Sequence, residues 1–241
     1  MIRKKLLGGA AIVALALMGT AGASTAAPSP DQASPNIVGG DTIPISSAPY
    51  AVQIHVNSTG NAFNCSGSLI SSQWVLTARH CEGTKSVRLG SSSLNQGTLR
   101  TVAADYAWSG GDVRLLKLST PYYGTTVTLN KDRVSVNQAA DAYGWGRTCG
   151  ACSASSLLKH ASVKITGGSY DAYNGPAVET YGVDGQVYKG DSGGPLMVGG
   201  QQSGVLSTGG GNPDSIYRYA NYAYVYHAMP WITSVSGVTG Q

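Results

Sequence analysis

Three short segments of the chain carry side chains that could together perform nucleophilic catalysis. His80 lies beside a cysteine at the end of a short apolar segment, Asp112 precedes a strand-like run, and Ser192 lies in a glycine-rich segment. A serine hydroxyl is a poor nucleophile until a neighbouring base accepts its proton, and a histidine imidazole can be that base. A carboxylate behind the imidazole would hold its useful tautomer and stabilise its protonated form. The three residues therefore form a candidate catalytic set.

The flanks of these residues belong to four islands in a fixed order. The islands are 37–40 (IVGG), 76–81 (LTARHC), 112–118 (DVRLLKL) and 190–195 (GDSGGP). Shorter matches lie at 65–70 (CSGSLI), 144–146 (GWG) and 231–232 (WI). Together they resemble the chymotrypsin/trypsin family of serine proteases over the whole chain from Ile37 onward. The order His, Asp, Ser is that of this family and differs from the order in subtilisins and α/β-hydrolases. Secretion, sparse charge and the short interval from His80 to Asp112 together resemble secreted bacterial members more than animal digestive ones.

The resemblance implies a role for each of these residues. Ser192 is expected to be the nucleophile, His80 the general base, and Asp112 the carboxylate that orients the imidazole. The backbone N–H groups of Gly190 and Ser192 are expected to form the oxyanion hole, which stabilises the charge of the tetrahedral intermediate. Glycine permits the unusual backbone dihedrals that aim such donors. The implied activity is that of a serine endopeptidase acting through an acyl-enzyme.

The resemblance also implies an inactive precursor. Cleavage before Ile37 would free an ammonium group that pairs with Asp191, the residue before the nucleophile. A buried carboxylate without a partner is costly, so we expect the oxyanion loop to become ordered only when the ammonium arrives. The activating bond follows Asn36, where trypsin-activated relatives have Lys or Arg. We therefore expect a separate activating protease of another specificity.

The residues expected around the substrate differ from those of trypsins. Trypsins carry Asp six residues before the nucleophile, and Gln186 stands at that position here. We therefore expect no trypsin specificity. Ala220 stands where the family often has a glycine on the pocket wall, and its methyl group would narrow the pocket. Ser207, Thr208 and Gly209 are expected to form the edge that pairs with extended substrate.

Further departures from the family pattern concern charge near the site. Asp184 and Asp214 could each supply a negative charge to the pocket if its loops are built differently. Arg79 stands beside His80, and we expect its guanidinium to point outward. Glu82 is the only acidic residue soon after the histidine, whereas the family's calcium loop needs several, so we predict no metal and no cofactor. Ser207 is also expected to hydrogen-bond Asp112.

The composition from residue 37 onward indicates an all-β protein. Over the whole chain glycine is abundant with 33 residues, charged residues make up 12%, and Glu82 and Glu179 are the only glutamates. Short runs rich in Val, Leu, Ile, Thr and Tyr are separated by Gly, Ser and Asn clusters. Such runs lie at 51–56, 68–70, 74–77, 86–89, 99–103, 113–118, 140–145, 161–165, 177–181, 196–198, 201–206 and 222–226, and a short helix is expected at 229–236. The pattern alone admits a sandwich as well as barrels. The family resemblance favours two six-stranded antiparallel β-barrels of the trypsin-like type, with a short C-terminal helix.

The chain divides into four expected parts. Residues 1–27 have the basic start, apolar run and small-residue exit of a secretory signal peptide. The apolar run at 6–18 is shorter than the roughly 20 residues of a membrane span, so we disfavour a membrane anchor. We expect residues 28–36 to form a pro-segment, residues 37–130 the N-terminal barrel, and residues 131–241 the C-terminal barrel with its helix. We expect a secreted, extracellular monomer without membrane attachment.

All four cysteines, Cys65, Cys81, Cys149 and Cys152, lie in the exported part. An even number of cysteines in an oxidising compartment favours two disulfides over a zinc site or a redox Cys-x-x-Cys, and three pairings are possible. The family resemblance implies that Cys65 pairs with Cys81 beside the histidine. Cys149 and Cys152 are then left as the second pair.

The charge balance excludes one class of partner. The whole chain carries 16 basic and 12 acidic residues, but three basic residues and Asp31 precede Ile37. The remaining 13 basic and 11 acidic residues form no basic cluster, so we expect no nucleic-acid partner. Polypeptide substrates, an activating protease and protein protease inhibitors are the expected partners. The alternatives are a catalytically inactive protease-fold binding protein and a non-peptidase esterase.

Overall fold

Fifteen strands, one 3₁₀ turn and one α-helix make up the part of the chain that the computed structural model describes, which is residues 1–2 and 37–241. Residues 3–36, which hold nearly all of the expected signal peptide and pro-segment, lie outside the described residues. In the first half the strands are β1 (Val38–Gly39), β2 (Asp41–Thr42), β3 (Ala51–His55), β4 (Phe63–Ser71), β5 (Trp74–Thr77), β6 (Ser86–Leu89), β7 (Thr98–Ala107) and β8 (Arg114–Leu118). In the second half they are β9 (Ala139–Gly144), β10 (Lys159–Tyr170), β11 (Pro176–Gly182), β12 (Gly185–Gln186), β13 (Pro195–Val198), β14 (Gln201–Gly209) and β15 (Tyr219–Tyr224).

The first half forms a closed antiparallel barrel in the strand order β3-β4-β5-β8-β7-β6. Its strands are rich in Val, Ile and Leu, which suit a pleated surface that is buried on its inner face. Val52, Ile54, Leu69, Leu76 and Leu115 are completely buried in this core. Closing the sheet on itself removes its free edges and gives the apolar faces a common interior.

The second half forms another six-stranded antiparallel barrel. Its strands follow the order β11-β15-β14-β13-β9-β10, and pairing of β10 with β11 closes the ring. Strand β2 adds to β10 outside the ring, and β1 pairs with β12. Val163, Leu196, Leu206 and Tyr222 contribute to its core. The all-β fold class with two six-stranded barrels is therefore confirmed, and the sandwich alternative is wrong.

The C-terminal helix α1 spans Val225–Ser236 and begins four residues earlier than the sequence prediction. The expected last strand is correspondingly shorter, since β15 ends at Tyr224. Val225, Ala228, Met229 and Ile232 are buried, and their spacing gives one apolar face that packs on the first barrel's core cluster. That burial outweighs the cost of Pro230 inside the helix.

The connection between the barrels is held by backbone hydrogen bonds at residues 127–131. Val127 N–H donates to the Leu69 carbonyl of the first barrel, while Asn130 N–H donates to the Gln202 carbonyl of the second. The chain terminus joins the same segment, because Gln241 N–H donates to the Leu129 carbonyl. The connection is therefore part of the packed structure.

Two disulfides are present, and they join the expected pairs, Cys65 with Cys81 and Cys149 with Cys152. The first links β4 to the residue that follows His80 and closes a separation of 16 residues. The second spans only three residues, so its effect on the entropy of the unfolded chain is smaller. Among residues 1–2 and 37–241, no helix is both long and apolar enough to cross a membrane.

Candidate active site

His80 and Asp112 meet at one end of the first barrel. His80 follows β5 by three residues, and Asp112 comes two residues before β8, which pairs with β5. His80 Nδ1 lies 2.7 Å from Asp112 Oδ2, and the backbone N–H of His80 donates to Asp112 Oδ1 at 2.9 Å. The carboxylate is completely buried, while the imidazole side chain is 31% exposed. The arrangement fixes the ring and leaves one edge open to a reacting group.

Ser207 of β14 brings the second barrel to the same carboxylate. Its hydroxyl donates to Asp112 Oδ2 at 2.6 Å, as the sequence analysis expected. Burial by itself would raise the pKa of Asp112, but the hydrogen bonds from His80 and Ser207 outweigh it and lower that pKa. The carboxylate is thus held in its ionised form, which is the form that can stabilise an imidazolium.

Asp171 is a neighbour of Asp112 that the sequence analysis did not single out. It follows β10 directly and is 5% exposed. Its Oδ2 accepts the backbone N–H of Asp112 at 2.7 Å. The sequence offers only an Asp-x-x-Asn-Gly turn pattern here, which indicates a turn but gives no hint of a partner 59 residues away.

Ser192 lies between β12 and β13, and its segment is bonded to the first barrel. Its carbonyl accepts the backbone N–H of Ser66 at 2.9 Å and lies 3.8 Å from the Sγ of Cys81, the residue after the histidine. A ring nitrogen of His80 lies within 4.8 Å of both disulfide sulfurs. The structure therefore brings the serine segment and the imidazole to one place. Among the described residues, Ser192 Oγ makes no hydrogen bond to the imidazole, a contact that often tightens only when substrate binds.

The loop before Ser192 contains two backbone N–H groups without a protein acceptor among residues 37–241. Gly190 has φ of +100°, a conformation that side-chain-bearing residues rarely adopt. Within residues 37–241, neither the Gly190 N–H nor the Ser192 N–H donates to a protein acceptor, while the Ser66 hydroxyl donates to the Gly190 carbonyl. Two backbone donors beside the candidate nucleophile are thus left for an oxyanion.

Asp191 points away from this loop into the protein and is completely buried. Its Oδ1 accepts the Gly146 N–H at 2.7 Å, and its Oδ2 accepts the Tyr188 N–H at 2.9 Å. Burial raises the pKa of Asp191 to about 6, although these two hydrogen bonds and the Arg218 charge oppose the rise. Ile37 is also completely buried, next to β1. The carboxylate has backbone donors but no cation bonded to it among the described residues.

A cavity of about 120 Å³ opens beside Ser192. It is lined by Val187, Tyr188, Lys189, Ser192, Leu206, Ser207, Thr208 and Gly209. Three of the five expected substrate-binding residues are therefore in its wall, and the apolar Val187 and Leu206 were not anticipated. Among the described residues, no acidic side chain lines the cavity, and its one charged lining residue is Lys189. A larger cavity of about 520 Å³ lies elsewhere on the second barrel and contains none of the expected site residues.

Gln186 and Ala220 are completely buried and do not line the 120 Å³ cavity. The Gln186 amide nitrogen donates to the Arg218 carbonyl at 2.9 Å. The Arg218 guanidinium in turn donates to the Val187 carbonyl and is stacked 4.9 Å from the centre of the Tyr188 ring. Arg218 is only 4% exposed, so a cation that the sequence analysis missed lies directly behind this wall.

The two aspartates considered for the pocket lie elsewhere. Asp184 Oδ1 accepts the Ser162 N–H at 2.7 Å, and Asp214 Oδ1 accepts the Gly150 N–H at 2.8 Å. Neither lines the cavity. Arg79 is turned away from the imidazole, because its guanidinium lies 4.2 Å from the centre of the Tyr173 ring. It therefore packs against the second barrel instead of projecting freely into solvent.

Only one group of potential metal ligands occurs within the described residues. It consists of Cys65, His80 and Cys81. The two cysteines are joined in a disulfide and cannot act as thiolate ligands. The chemistry of this donor set therefore does not suit a metal ion.

A protein-family model described as Trypsin matches residues 37–232, which span both barrels and most of the helix. The chain belongs to the trypsin family. The resemblance inferred from the four islands is thus confirmed, and the chain is a serine-type endopeptidase by membership of that family.

Sequence relatives and a solved structure agree with the trypsin-family assignment. Trypsin I-P1 of Gallus gallus is 32% identical, with 90% of this chain and 96% of that protein aligned. Trypsin of Simulium vittatum is 33% identical, with 83% of this chain and 92% of that protein aligned. Among solved structures, neuropsin, a serine protease expressed in the limbic system of mouse brain, matches with a TM-score of 0.69 and 28% identity over 81% of this chain and 97% of that one.

Proposed function

We propose that this trypsin-family protein is a secreted serine endopeptidase whose catalytic triad is His80, Asp112 and Ser192. The observation that carries the proposal is the buried Asp112 carboxylate, which binds the His80 imidazole at 2.7 Å while the Ser192 segment is bonded to the same barrel. A vestigial site would have no need of an ionised, buried carboxylate, which is costly to keep without a function.

The residues support acyl transfer in two steps. Ser192 Oγ attacks the scissile carbonyl as its proton passes to His80 Nε2, while Nδ1 remains bonded to Asp112. The oxyanion is received by the N–H groups of Gly190 and Ser192. The imidazolium then gives its proton to the leaving amine, which departs and leaves an acyl-enzyme. A water molecule, activated by the same imidazole, releases the carboxylic acid product and restores Ser192.

The precursor is activated by cleavage of the bond before Ile37. The new ammonium pairs with Asp191, whose carboxylate is buried with two backbone donors and has a pKa raised to about 6. Pairing supplies the positive charge that this site lacks and fixes the loop that carries the oxyanion donors. Because Asn36 precedes the bond, the activating enzyme is another protease that cleaves after asparagine or trims to this point.

The substrates are polypeptides that enter as an extended strand along 207–209. The lining of the cavity beside Ser192 includes the apolar Val187 and Leu206 and, within residues 37–241, no acidic residue, and Arg218 lies buried behind it. A lysine or arginine side chain would lose its hydration there without gaining a counter-charge. Small or medium uncharged side chains are therefore preferred at the residue before the cleaved bond. Protein protease inhibitors that present an extended loop would fit the same groove.

Active-site labelling of the processed chain tests the catalytic proposal. The chain from Ile37 to Gln241 is prepared with a free Ile37 amine and treated with a fluorophosphonate, alongside the Ser192→Ala and His80→Ala variants. We expect stoichiometric labelling of the parent chain at Ser192, none in Ser192→Ala, and strongly slowed labelling in His80→Ala. The unprocessed chain should label slowly, because Asp191 lacks its ammonium partner.

An unlabelled parent chain with a confirmed Ile37 terminus and a cooperative unfolding transition would contradict the proposal. It would favour a catalytically inactive binding protein with a protease fold. Labelling without hydrolysis of any peptide in a diverse library would instead favour a non-peptidase esterase.

A further inference from the structure

A five-residue segment of the second barrel, residues 171–175, binds the candidate triad carboxylate of the first barrel. This segment, the Asp171 turn, joins β10 to β11. Its own shape depends on Asp171, because Oδ1 accepts the backbone N–H groups of Tyr173 and Gly175 at 2.8 Å each. The second oxygen, Oδ2, is left for the Asp112 N–H at 2.7 Å. One carboxylate thus shapes the turn and holds the neighbouring barrel.

The contacts of the Asp171 turn form a closed ring around Asp112. The Ala172 N–H donates to Ser207 Oγ at 3.0 Å, and Ser207 Oγ donates to Asp112 Oδ2 at 2.6 Å. Asp112 is therefore held at its backbone by Asp171 directly and at its carboxylate by Ala172 through Ser207. Such a ring restrains both the position and the rotation of the carboxylate that orients His80.

Two packing contacts show how closely the turn is fitted to the first barrel. Arg79 is the residue before His80, and its guanidinium lies 4.2 Å from the centre of the Tyr173 ring. A Cβ atom at Gly111 would lie 2.5 Å from Asp171 Oδ2, so a glycine is required for the carboxylate to reach the Asp112 N–H. Arg79, Gly111 and Asp112 together form the surface that receives the turn.

We propose that Asp171 is a positioning residue for the catalytic reaction, acting through Asp112 on His80. This inference rests on the proposed triad. Asp171 is 5% exposed, Asp112 is completely buried, and the Asp171 carboxylate contacts the backbone N–H of Asp112. Burying like charges is unfavourable unless each is satisfied by hydrogen bonds, and every bond that Asp171 accepts comes from a backbone N–H. The arrangement fixes the backbone of Asp112 across the seam between the barrels.

The Asp171→Asn variant tests this role with almost no change of volume. An amide has only one accepting atom, so it cannot serve the turn and the Asp112 N–H together, and its NH₂ group must face a donor. We expect kcat to fall between about tenfold and 100-fold, as for small displacements of catalytic groups, while KM changes less than about twofold. The downfield proton resonance of the His80 Nδ1–H bond to Asp112 should broaden or shift. Asp141→Asn, which removes the same charge from a carboxylate bonded to His160, is the matched control and should leave both readouts unchanged.

The Gly111→Ala variant reaches the same contact from the other barrel and leaves Asp171 intact. Its methyl group should displace the Asp171 carboxylate, so we expect the same loss of kcat and the same change in the proton resonance. The double variant should lose no more than either single variant, since both break one interaction. If Asp171→Asn fails to fold, the Gly111→Ala variant alone tests the positioning role of Asp171.

The parent chain separates failure of this inference from failure of the proposed function. If the processed parent chain neither reacts with the fluorophosphonate nor cleaves peptides, the proposed function itself is contradicted. With an active parent chain, folded Asp171→Asn and Gly111→Ala variants that keep the parent kcat and an unchanged Nδ1–H resonance would overturn the positioning role.

Discussion

The hydroxyl of Ser207 lies 2.6 Å from Oδ2 of Asp112, so a side chain of the second barrel shares the oxygen that binds His80 in the first. Asp112 Oδ2 thus accepts two hydrogen bonds from groups that are far apart in sequence. The two bonds lower the pKa of Asp112 against the effect of burial. Removing the Ser207 hydroxyl should raise that pKa and loosen the hold of Asp112 on the imidazole.

The Ser207→Ala variant should therefore lose activity through kcat. One hydrogen bond to a charged group contributes about 1.5–3 kcal/mol, of which part will be recovered by water, so we expect a fall in kcat of about three- to 30-fold. Steady-state kinetics on a peptide substrate measure it. Ser203→Ala is the matched control, since Ser203 is a buried serine of the same strand whose hydroxyl accepts a hydrogen bond from Asn130. Equal losses in the two variants would contradict a specific role for Ser207.

Changing Gln186 alone should not create trypsin specificity. A carboxylate at this position would lie beside the buried Arg218, whose guanidinium donates to the backbone carbonyls of Gln186 and Val187. It would pair with that guanidinium and present no net charge to the cavity. We expect Gln186→Asp to cleave after lysine no better than the parent chain, and Gln186→Asp combined with Arg218→Gln to gain at least about tenfold.

The specificity prediction is measured as kcat/KM on peptides that differ only in the residue before the cleaved bond. The Arg218→Gln single variant is the control for altered packing. A parent chain that already prefers lysine or arginine would show that the cavity charge has been misassigned.

Asp191 should make the stability of the unprocessed chain depend on pH. Burial raises its pKa to about 6 from an ordinary value of 3.8, so the folded chain holds this proton more tightly than the unfolded chain. The free energy of unfolding therefore falls as the pH rises from about 4 through 6, by up to about 3 kcal/mol. Denaturant titrations at a series of pH values measure this slope. Asp191→Asn should remove it, and processing at Ile37 should remove it as well, because the ammonium then favours the ionised carboxylate.

His55 should produce a slope of opposite sign. It is completely buried, neither ring nitrogen has a hydrogen-bond partner among the described residues, and burial followed by the charge of Arg88 lowers its pKa to about 4. Between about pH 6.5 and 4, His55 therefore binds a proton in the unfolded chain but not in the folded chain. The free energy of unfolding should fall by up to about 3 kcal/mol as the pH is lowered through this window.

The processed enzyme is the better form in which to see the His55 effect, since the opposing contribution of Asp191 is then absent. A His55→Phe variant should flatten the pH dependence below pH 6.5, while His227→Phe, at an exposed position of the helix, should not. An unchanged slope in His55→Phe would assign the pH dependence to other groups.

Sequence reasoning found most of the strands from local composition, whereas the choice of two barrels over a sandwich came from the resemblance to the trypsin family, and the candidate triad came from the motifs that carry that resemblance. The motifs around His80 and Ser192 are contiguous, and the strands have the composition that a half-buried sheet requires. The start of the helix was misplaced because Val225 and Tyr226 are strand-forming residues by propensity, and the burial of Val225 in the core with the rest of the apolar helix face overrides that preference.

The substrate cavity and the support of Asp112 were much less accessible to sequence. Gln186 was identified by counting back from Ser192, but counting cannot show that the backbone turns its side chain toward Arg218 and away from the cavity. Asp171 has the appearance of an ordinary turn residue. Its contact with Asp112 depends on how the two barrels pack against each other, and no local sequence pattern predicts that packing.

The bonding of residues 127–131 to Leu69, Gln202 and Gln241 bears on how the enzyme must recognise substrates. A connection anchored on both sides leaves no hinge about which one barrel could swing against the other. We therefore expect no closure of two lobes around the substrate, and a groove whose width is already set before a peptide arrives. Selectivity must come from the side chains that line it, and a change of preference can be made by altering the loops while the scaffold stays as it is.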